Sequence, residues 1–254
     1  KEILERLKTG KIDIIIGTHK LLAQTVDFAD LGLVIVDEEQ RFGVAHKERL
    51  KLMKASVDFL TLTATPIPRT LQLSFLGLKD LSLIQTAPPK RQSIKTYLIK
   101  EDDATIKESI EKEIKRGGQV FFVHNRVQDL EEKMGYIREL VPDAKILMAH
   151  GQLPESDLEK RMNDFYDGKF NVLVTTTIIE SGLDIPAANT IIINRADTFG
   201  LAQLHQLRGR IGRSDKKAYA YFIIPENKIL TEIAQKRIHA LQTYADLGSG
   251  FAMA

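Results

Sequence analysis

The order strand, polar loop, helix repeats along this chain and constrains its fold more than any other feature. Short apolar runs of the kind that form buried parallel strands each lead into a polar cluster. The predicted strands are residues 12–16, 31–36, 57–62, 119–123, 144–148, 171–174, 190–193 and 218–224. Strands that alternate with helices form parallel, doubly wound sheets. The sequence therefore predicts an α/β protein with ligands at the carboxyl ends of its strands.

A linker divides this pattern into two halves. Pro88 and Pro89 stand in the stretch 87–91, and two adjacent prolines exclude both a helix and a central strand. The 254 residues are enough for two α/β domains. We therefore predict a first lobe at 1–86, a linker at 87–95 and a second lobe at 96–254.

Composition excludes several classes of protein. The formal net charge is only +2, so a nucleic-acid site must arise from local clustering of charge. The chain has no cysteine, which excludes disulfides and thiolate metal sites and fits a reducing cytoplasm. No apolar run reaches the roughly 18 residues of a membrane span, so we expect no membrane partner. Because residue 1 is lysine and the last residues form no closing element, we expect a fragment of a longer protein.

An acidic cluster follows the predicted strand at 31–36. Asp37, Glu38 and Glu39 precede Gln40, and such side chains are costly to bury unless they bind something. An aspartate there can hold Mg²⁺ through water, and the next glutamate can polarise an attacking water. An acidic loop that caps a helix is the alternative. His46 is not expected to join a metal site, because a hard cation needs no imidazole ligand.

The stretch 203–213 holds three arginines, two glutamines and two glycines. A helix through this stretch would show on one face the residues Gln203, Gln206 and Arg210. Its glycines remove side-chain bulk where an anion approaches the backbone. Arg210 and Arg213 then offer planar, permanently charged groups that suit phosphate oxygens. A solvated basic helix end is the alternative.

Polar residues also follow the other predicted strands. Each cluster alone has an ordinary explanation as a loop or turn, but their accumulation at strand ends favours a ligand. These residues are Thr18 and His19; Thr63 and Thr65; Asn125 and Arg126; His150 and Gly151; Thr176 and Thr177; and Gly182 and Asp184.

Taken in order, these clusters resemble the second helicase superfamily. The residues 37–40 are similar to its Mg²⁺ and water-activating motif, and 63–65 to its coupling motif. The residues 176–184 and 206–213 are similar to the last two motifs of its second lobe. Longer stretches resemble the bacterial transcription-repair coupling family, at 37–44, 150–152, 162–165, 177–186 and 196–214.

Two other interpretations remain open at this point. The related branch-migration helicases usually have Gln-His where this chain has Glu39-Gln40 before Arg-Phe-Gly, so they are the nearest alternative. From another class, the chain is a non-enzymatic module that binds DNA or a partner. A purely structural α/β domain is disfavoured, because it would not place acid and arginine pairs at strand ends.

The resemblance implies two RecA-like parallel-sheet lobes, the first incomplete at its N-terminus, that bind ATP between them. In the coupling family, ATP hydrolysis drives translocation along double-stranded DNA. This movement removes stalled RNA polymerase and couples transcription to nucleotide excision repair. RNA polymerase and the excision-repair proteins would bind through regions outside this chain.

The resemblance also implies a role for each matching residue. Asp37 would hold Mg²⁺ and Glu38 would activate water, while Thr63 and Thr65 would couple hydrolysis to movement. The side chains that would face the nucleotide from the second lobe are Gln206, Arg210 and Arg213, with Gly182 and Asp184 at its border. The residues that would lie near the DNA backbone are Thr18, His19, Asn125, Arg126, His150, Gly151, Thr176 and Thr177.

The chain departs from the family in one respect. ATP binding there needs a phosphate loop, Gly-x-x-x-x-Gly-Lys-Ser/Thr. The two Gly-Lys pairs of this sequence are followed by Ile12 and Phe170, which lack the metal-binding hydroxyl. We therefore expect the loop to precede Lys1, and the isolated chain to hydrolyse ATP poorly or not at all.

Overall fold

The computed structural model describes residues 2–39, 42–53, 56–63, 80, 82, 84, 93–180 and 184–226. The chain divides into two compact units, Lys1–Ala64 and Thr65–Ala254. Most of the predicted linker at 87–95 lies outside the described residues, as do Gln40, Thr65 and Gly182. The lobe boundaries therefore stay predictions.

In its described residues the first unit contains two parallel strands and two α-helices. Strands β1 (Leu33–Asp37) and β2 (Asp58–Leu62) pair in parallel, with Asp37 opposite Leu62. Helix α1 (Glu2–Lys8) precedes β1 in the sequence, and α2 (Val44–Met53) lies between the two strands. Both strands were predicted. The buried apolar residues of this unit are Leu7, Val26, Val36 and Leu50.

The strand predicted at residues 12–16 is wrong. This segment contains no strand in the structure, and Ile14 and Ile16 are 81% and 93% exposed. A parallel strand forms only where a neighbouring strand supplies its hydrogen bonds. Within the described residues the segment has no such neighbour, so its apolar composition alone does not make it a strand.

The second unit is built on one parallel sheet. In its described residues the strand order is β3-β8-β7-β4-β6-β5, and every neighbouring pair is parallel. The strands are β3 (Ile94–Lys100), β4 (Gln119–Val123), β5 (Ile146–Ala149), β6 (Val172–Thr175), β7 (Ala188–Ile193) and β8 (Ala218–Ile224). All except β3 were predicted. At the edge of the sheet β3 alternates partly buried and exposed residues, so it lacks a continuous apolar run.

Helices cover both faces of this sheet. They are α3 (Asp103–Lys115), α4 (Leu130–Leu140), α5 (Glu155–Tyr166) and α6 (Leu201–Arg208). Because successive side chains of a strand point to opposite faces, β4 contributes to two cores. Val120 and Phe122 join the core with α3 and α4, and Phe121 and Val123 join the core with α5 and α6. The predicted doubly wound α/β fold is confirmed.

A buried carboxylate fixes the end of α3. The side chain of Glu113 is fully buried, accepts a hydrogen bond from the Thr190 hydroxyl and pairs with Arg116. Arg116 also donates to the Lys217 carbonyl at 2.7 Å. A Cβ atom at Gly118 would collide with the Glu113 carboxylate, so a larger residue there would have to displace that side chain. This cluster lies at the amino ends of the strands, away from the predicted ligand edge.

Every helix in the described ranges is too short or too polar to cross a lipid bilayer.

Candidate functional site

The carboxyl ends of four adjacent strands carry polar residues in the second unit. His124 follows β4, His150 follows β5, Thr176 follows β6 and Asn194 follows β7. Because these strands are parallel neighbours, their carboxyl ends lie at one edge of the sheet. This edge gathers the six second-lobe residues for which DNA contact was predicted: Asn125, Arg126, His150, Gly151, Thr176 and Thr177.

His124 is held from both sides of its ring. Its Nδ1 lies 3.0 Å from Oδ1 of Asn194, and its Nε2 lies 3.0 Å from Oδ2 of Asp129. His124 and Asn194 are only 4% and 2% exposed, so water does not compete for the contact between them. The hydrogen bond with His124 lowers the pKa of Asp129, against the opposing effect of burial. The ring therefore joins the loop after β4 to the loop after β7.

Asn125 makes a second contact between the same loops. Its side-chain amide donates to the Thr198 hydroxyl at 2.7 Å, and that hydroxyl donates to the Arg195 carbonyl at 2.7 Å. Arg195 has a positive φ of 55°, and its guanidinium pairs with the buried Asp197 at 3.1 Å. Asn125 and Arg126 are exposed, which suits an outward-facing binding loop.

The loops after β5 and β6 touch each other. A Cβ at Gly151 would lie 3.3 Å from the Ile178 side chain, so a larger residue would press against the 3-10 turn Thr177–Glu180. Thr176 is buried, and its carbonyl accepts from the Thr175 hydroxyl at 3.3 Å. Nδ1 of His150 is buried and makes no hydrogen bond with the described residues. The edge is therefore packed beneath a few exposed polar groups.

Helix α6 ends before Arg210, which was predicted to share one helical face with Gln203 and Gln206. It begins after Gly200, whose N–H donates to Oε1 of Gln203 at 3.1 Å, and it ends at Arg208. Gln206 lies on the helix, but Arg210 lies in the turn that follows. The prediction of one helical face through Arg210 is wrong, because Gly209 ends the helix, as a residue of low helix propensity often does.

Gly212 is required by the fold itself. Its φ of +70° is one that other residues rarely adopt. A Cβ there would lie 3.1 Å from Cβ of Ala218 and 3.2 Å from Cγ1 of Ile94. The sequence suggested that an anion approaches the backbone at Gly212. In the structure, side chains of strands β8 and β3 lie close to that backbone instead.

The segment after α6 reaches back to Asp184, in the loop that precedes β7. Nη1 of Arg213 lies 3.3 Å from Oδ1 of Asp184, so two residues predicted to face the nucleotide contact each other. On the helix, Arg208 is only 4% exposed. Burial, with a smaller contribution from the Arg208 charge, lowers the pKa of His205 to about 4. His205 is therefore neutral at physiological pH.

The acidic cluster of the first unit lies at the carboxyl end of β1. Asp37 is exposed there, and Glu38 has a positive φ of 52°, a conformation that is strained for a residue with a side chain. The Glu38 N–H donates to the Leu62 carbonyl at 3.0 Å, which fixes the turn against β2. The Thr61 hydroxyl reaches this cluster and lies 3.3 Å from Oε2 of Glu39. Sequence reasoning missed Thr61, which the parallel register of β1 and β2 brings beside the cluster.

The donor set of this cluster fits Mg²⁺. Carboxylate oxygens are hard ligands, and Mg²⁺ is commonly held by one or two carboxylates together with phosphate oxygens and water. In the part of the chain that the structure describes, no three histidine, aspartate or glutamate side chains converge to hold a metal ion unaided. Asp37 would hold Mg²⁺ together with phosphate oxygens and water.

Thr18 and His19 lie together in the first unit. The Thr18 side chain accepts from the Lys20 N–H at 3.4 Å and caps the 3-10 turn His19–Leu22. The His19 ring lies 5.1 Å from the His46 ring, and Phe42 meets His46 edge-on at 6.2 Å. His19 is thus an exposed ring beside α2.

Two family models match the chain. The model described as the DEAD/DEAH box helicase matches residues 1–74, and that described as the helicase conserved C-terminal domain matches residues 102–215. The chain belongs to the second helicase superfamily, the class that its parallel sheet and its strand-end motifs define.

Within that class, relatives named transcription-repair-coupling factor match the chain from end to end. The one from Staphylococcus haemolyticus is 56% identical and that from Staphylococcus aureus is 55% identical over all 254 residues. The chain spans 22% of the length of each of these relatives. Among solved structures, RecG bound to a three-way DNA junction is similar with a TM-score of 0.76 and 37% identity, over 100% of this chain and 33% of that one.

Proposed function

We propose that this chain is the motor segment of an ATP-dependent double-stranded DNA translocase. The parent protein removes stalled RNA polymerase and couples transcription to nucleotide excision repair. One observation carries the proposal: polar groups from four strand ends gather at one edge, and two residues after β4, His124 and Asn125, are hydrogen-bonded to the segment after β7 that leads into α6. The end-to-end similarity to transcription-repair-coupling factors supports the biological role.

The proposal assigns the chemistry to two groups of residues. Asp37 holds Mg²⁺ and Glu38 activates the attacking water. Arg210 and Arg213 stabilise the charge that develops on the transferred phosphoryl group, and Gln206 orients it. Bound ATP supplies the phosphoryl group whose transfer to water drives movement. Gly182 and Asp184 border the nucleotide, and Thr63 and Thr65 couple its hydrolysis to translocation.

The DNA is held through its backbone. Exposed Asn125 and Arg126 of the second lobe present an amide and a guanidinium, groups that bind phosphate oxygens. Thr18, His19 and the His150-Gly151 loop add polar contacts in this proposal. Contacts with phosphates alone make binding dependent on salt and insensitive to sequence. RNA polymerase and excision-repair proteins bind the parent protein through other regions, and the activity belongs to the cytoplasm.

The test compares this chain with a longer one that includes the phosphate loop and the downstream region of its relatives. ATP hydrolysis is measured with and without double-stranded DNA, for the parent sequence and for Glu38→Gln and Arg210→Ala. Glu131→Gln and Arg138→Ala, both exposed on α4, are matched controls. We expect DNA-stimulated hydrolysis only in the longer protein, lost in the first two variants and kept in the controls. A longer protein that does not hydrolyse ATP in the presence of DNA would contradict the motor proposal.

A fork-acting branch-migration helicase is the second candidate, because RecG is 37% identical over the whole chain. The two candidates differ in their substrates. The longer protein is offered a stalled transcription complex and, separately, a three-way DNA junction. Release of the polymerase without remodelling of the junction supports coupling, and the reverse result supports branch migration. Binding of DNA without any hydrolysis by the longer protein would instead support a non-enzymatic binding module.

A further inference from the structure

Two loops of the second lobe are joined by one buried and one exposed hydrogen bond between their side chains. The first loop follows β4 and carries Asn125 and Arg126. The second follows β7 and runs through Thr198 into α6. Between them lie the contacts His124–Asn194 at 3.0 Å and Asn125–Thr198 at 2.7 Å. We call these four residues the loop clamp.

The clamp is more than strand pairing requires. Backbone hydrogen bonds already join β4 and β7 along their length. The last of them runs from the Asn194 N–H to the Val123 carbonyl, at 2.9 Å. The side chains of His124 and Asn194 add a further contact beyond the last strand residues. Burying a polar side chain costs free energy unless it makes a hydrogen bond. The His124–Asn194 pair is therefore a specific contact rather than a space-filling part of the core.

The clamp connects directly to the arginine segment. Thr198 ends the 3-10 turn Ala196–Thr198, and α6 begins at Leu201, three residues later. The Thr198 hydroxyl also donates to the Arg195 carbonyl, so a shift of Asn125 is transmitted to the base of that turn. Helix α6 in turn packs against the 3-10 turn Thr177–Glu180 after β6. No long flexible segment separates Asn125 from the start of α6.

We propose that His124 and Thr198 are positioning residues that couple the loop carrying Asn125 and Arg126 to the arginines after α6. DNA that engages Asn125 or Arg126 fixes the loop after β4. The clamp then fixes the start of α6, and with it the direction of Arg210 and Arg213. This inference rests on the proposed function, because it assigns DNA to the loop and nucleotide to the arginines. It adds that the signal passes inside one lobe.

Thr198 offers the cleanest test, because it is exposed and its replacement by valine changes shape very little. Thr198→Val removes the hydroxyl that Asn125 binds, and Thr198→Ser keeps it. ATP hydrolysis is measured in the full-length parent protein with and without double-stranded DNA. We expect Thr198→Val to lower the DNA-stimulated rate roughly five- to tenfold, the effect of losing the hydroxyl's hydrogen bonds with Asn125 and Arg195, with an unchanged DNA-free rate and KM for ATP. Thr198→Ser restores stimulation.

The buried half of the clamp has a matched control on the same strand. Gln119 is the first residue of β4, and His124 is the residue directly after the strand. Both residues are 4% exposed. The Gln119 side-chain amide donates to the Phe165 and Phe170 carbonyls at 2.6 and 2.8 Å. His124→Leu and Gln119→Leu each remove two contacts of a buried side chain. Only His124→Leu is expected to lower DNA stimulation, with the folded fraction of both variants followed by circular dichroism.

The outcomes separate the two proposals. A parent protein without DNA-stimulated hydrolysis overturns the proposed function and the clamp together. A stimulated parent whose Thr198→Val variant is equally stimulated overturns the clamp alone. So does an equal loss in Gln119→Leu and His124→Leu, because the effect would then follow stability rather than position.

Discussion

Nη1 of Arg213 lies 3.3 Å from Oδ1 of Asp184. This ion pair joins the segment after α6 to the loop that precedes β7. Their side chains are 30% and 63% exposed, and an ion pair so open to water adds little stability. Its consequence is orientation, and under the proposed function a phosphate oxygen would replace the carboxylate as the partner of the guanidinium.

Replacing Arg213 is expected to slow the chemical step rather than weaken ATP binding. A guanidinium that acts on the charge developing during phosphoryl transfer contributes roughly 10²- to 10³-fold to kcat. We expect Arg213→Ala to lose this factor in the parent protein with little change in KM. Arg213→Lys should recover only part of it, because an ammonium lacks the planar pair of donors. Steady-state kinetics of both variants check this, and a raised KM with normal kcat would contradict it.

The stability of the second lobe is expected to fall in mild acid because of His205. Burial, reinforced by Arg208, lowers its pKa from 6.5 to about 4. Between these values the unfolded chain binds the proton more readily than the folded chain, so stability decreases as pH falls from about 6.5 and is constant above it. The total loss attributable to His205 is at most about 3 kcal/mol.

Urea unfolding at pH 7 and pH 5, with His205→Gln as comparison, measures this contribution. The substitution should leave a smaller difference between the two pH values, because glutamine does not titrate. An undiminished difference in His205→Gln would assign the acid sensitivity to other groups.

Gly117 and Gly118 are expected to resist substitution for different reasons. Gly118→Ala places a methyl group against the Glu113 carboxylate, and such overpacking costs about 1–3 kcal/mol. Gly117 has open space around it but a φ of +70°, so Gly117→Ala costs about 1–2 kcal/mol of backbone strain. Combining each with Glu113→Ala distinguishes them. The truncation should relieve the Gly118→Ala penalty and leave that of Gly117→Ala unchanged, as thermal unfolding would show.

How far the sequence predicts this structure depends on what each element contacts. Strands β4, β6 and β7 are buried on both faces, so they read as continuous apolar runs and were predicted. The edge strand β3 shows one side to water and was missed. The run at 12–16 has the composition of a strand but no strand neighbour among the described residues, and pairing partners cannot be read from composition.

The candidate site was also predicted only in part. The sequence indicated which residue types lie there, because polar groups that follow apolar runs are visible in it. The hydrogen-bond partners of these residues were not predicted. His124 and Asn194 are far apart in the chain, and they meet because β4 and β7 are neighbours in the sheet. Thr61 reaches Glu39 through the register of β1 and β2. Both contacts depend on strand order, which a single sequence does not supply.

The exposed loop after β4 is expected to contribute a phosphate contact through Arg126. Each phosphate that a basic side chain neutralises releases counterions, so the slope of log affinity against log salt reflects the number of contacts. We expect Arg126→Ala in the parent protein to weaken binding to double-stranded DNA of any sequence and to reduce this slope by about 1. Arg138→Ala, an exposed arginine on α4, should leave the slope unchanged. A base-specific loss, or an unaltered slope in Arg126→Ala, would remove Arg126 from the backbone-binding surface, and the loop clamp would then have to act through Asn125 alone.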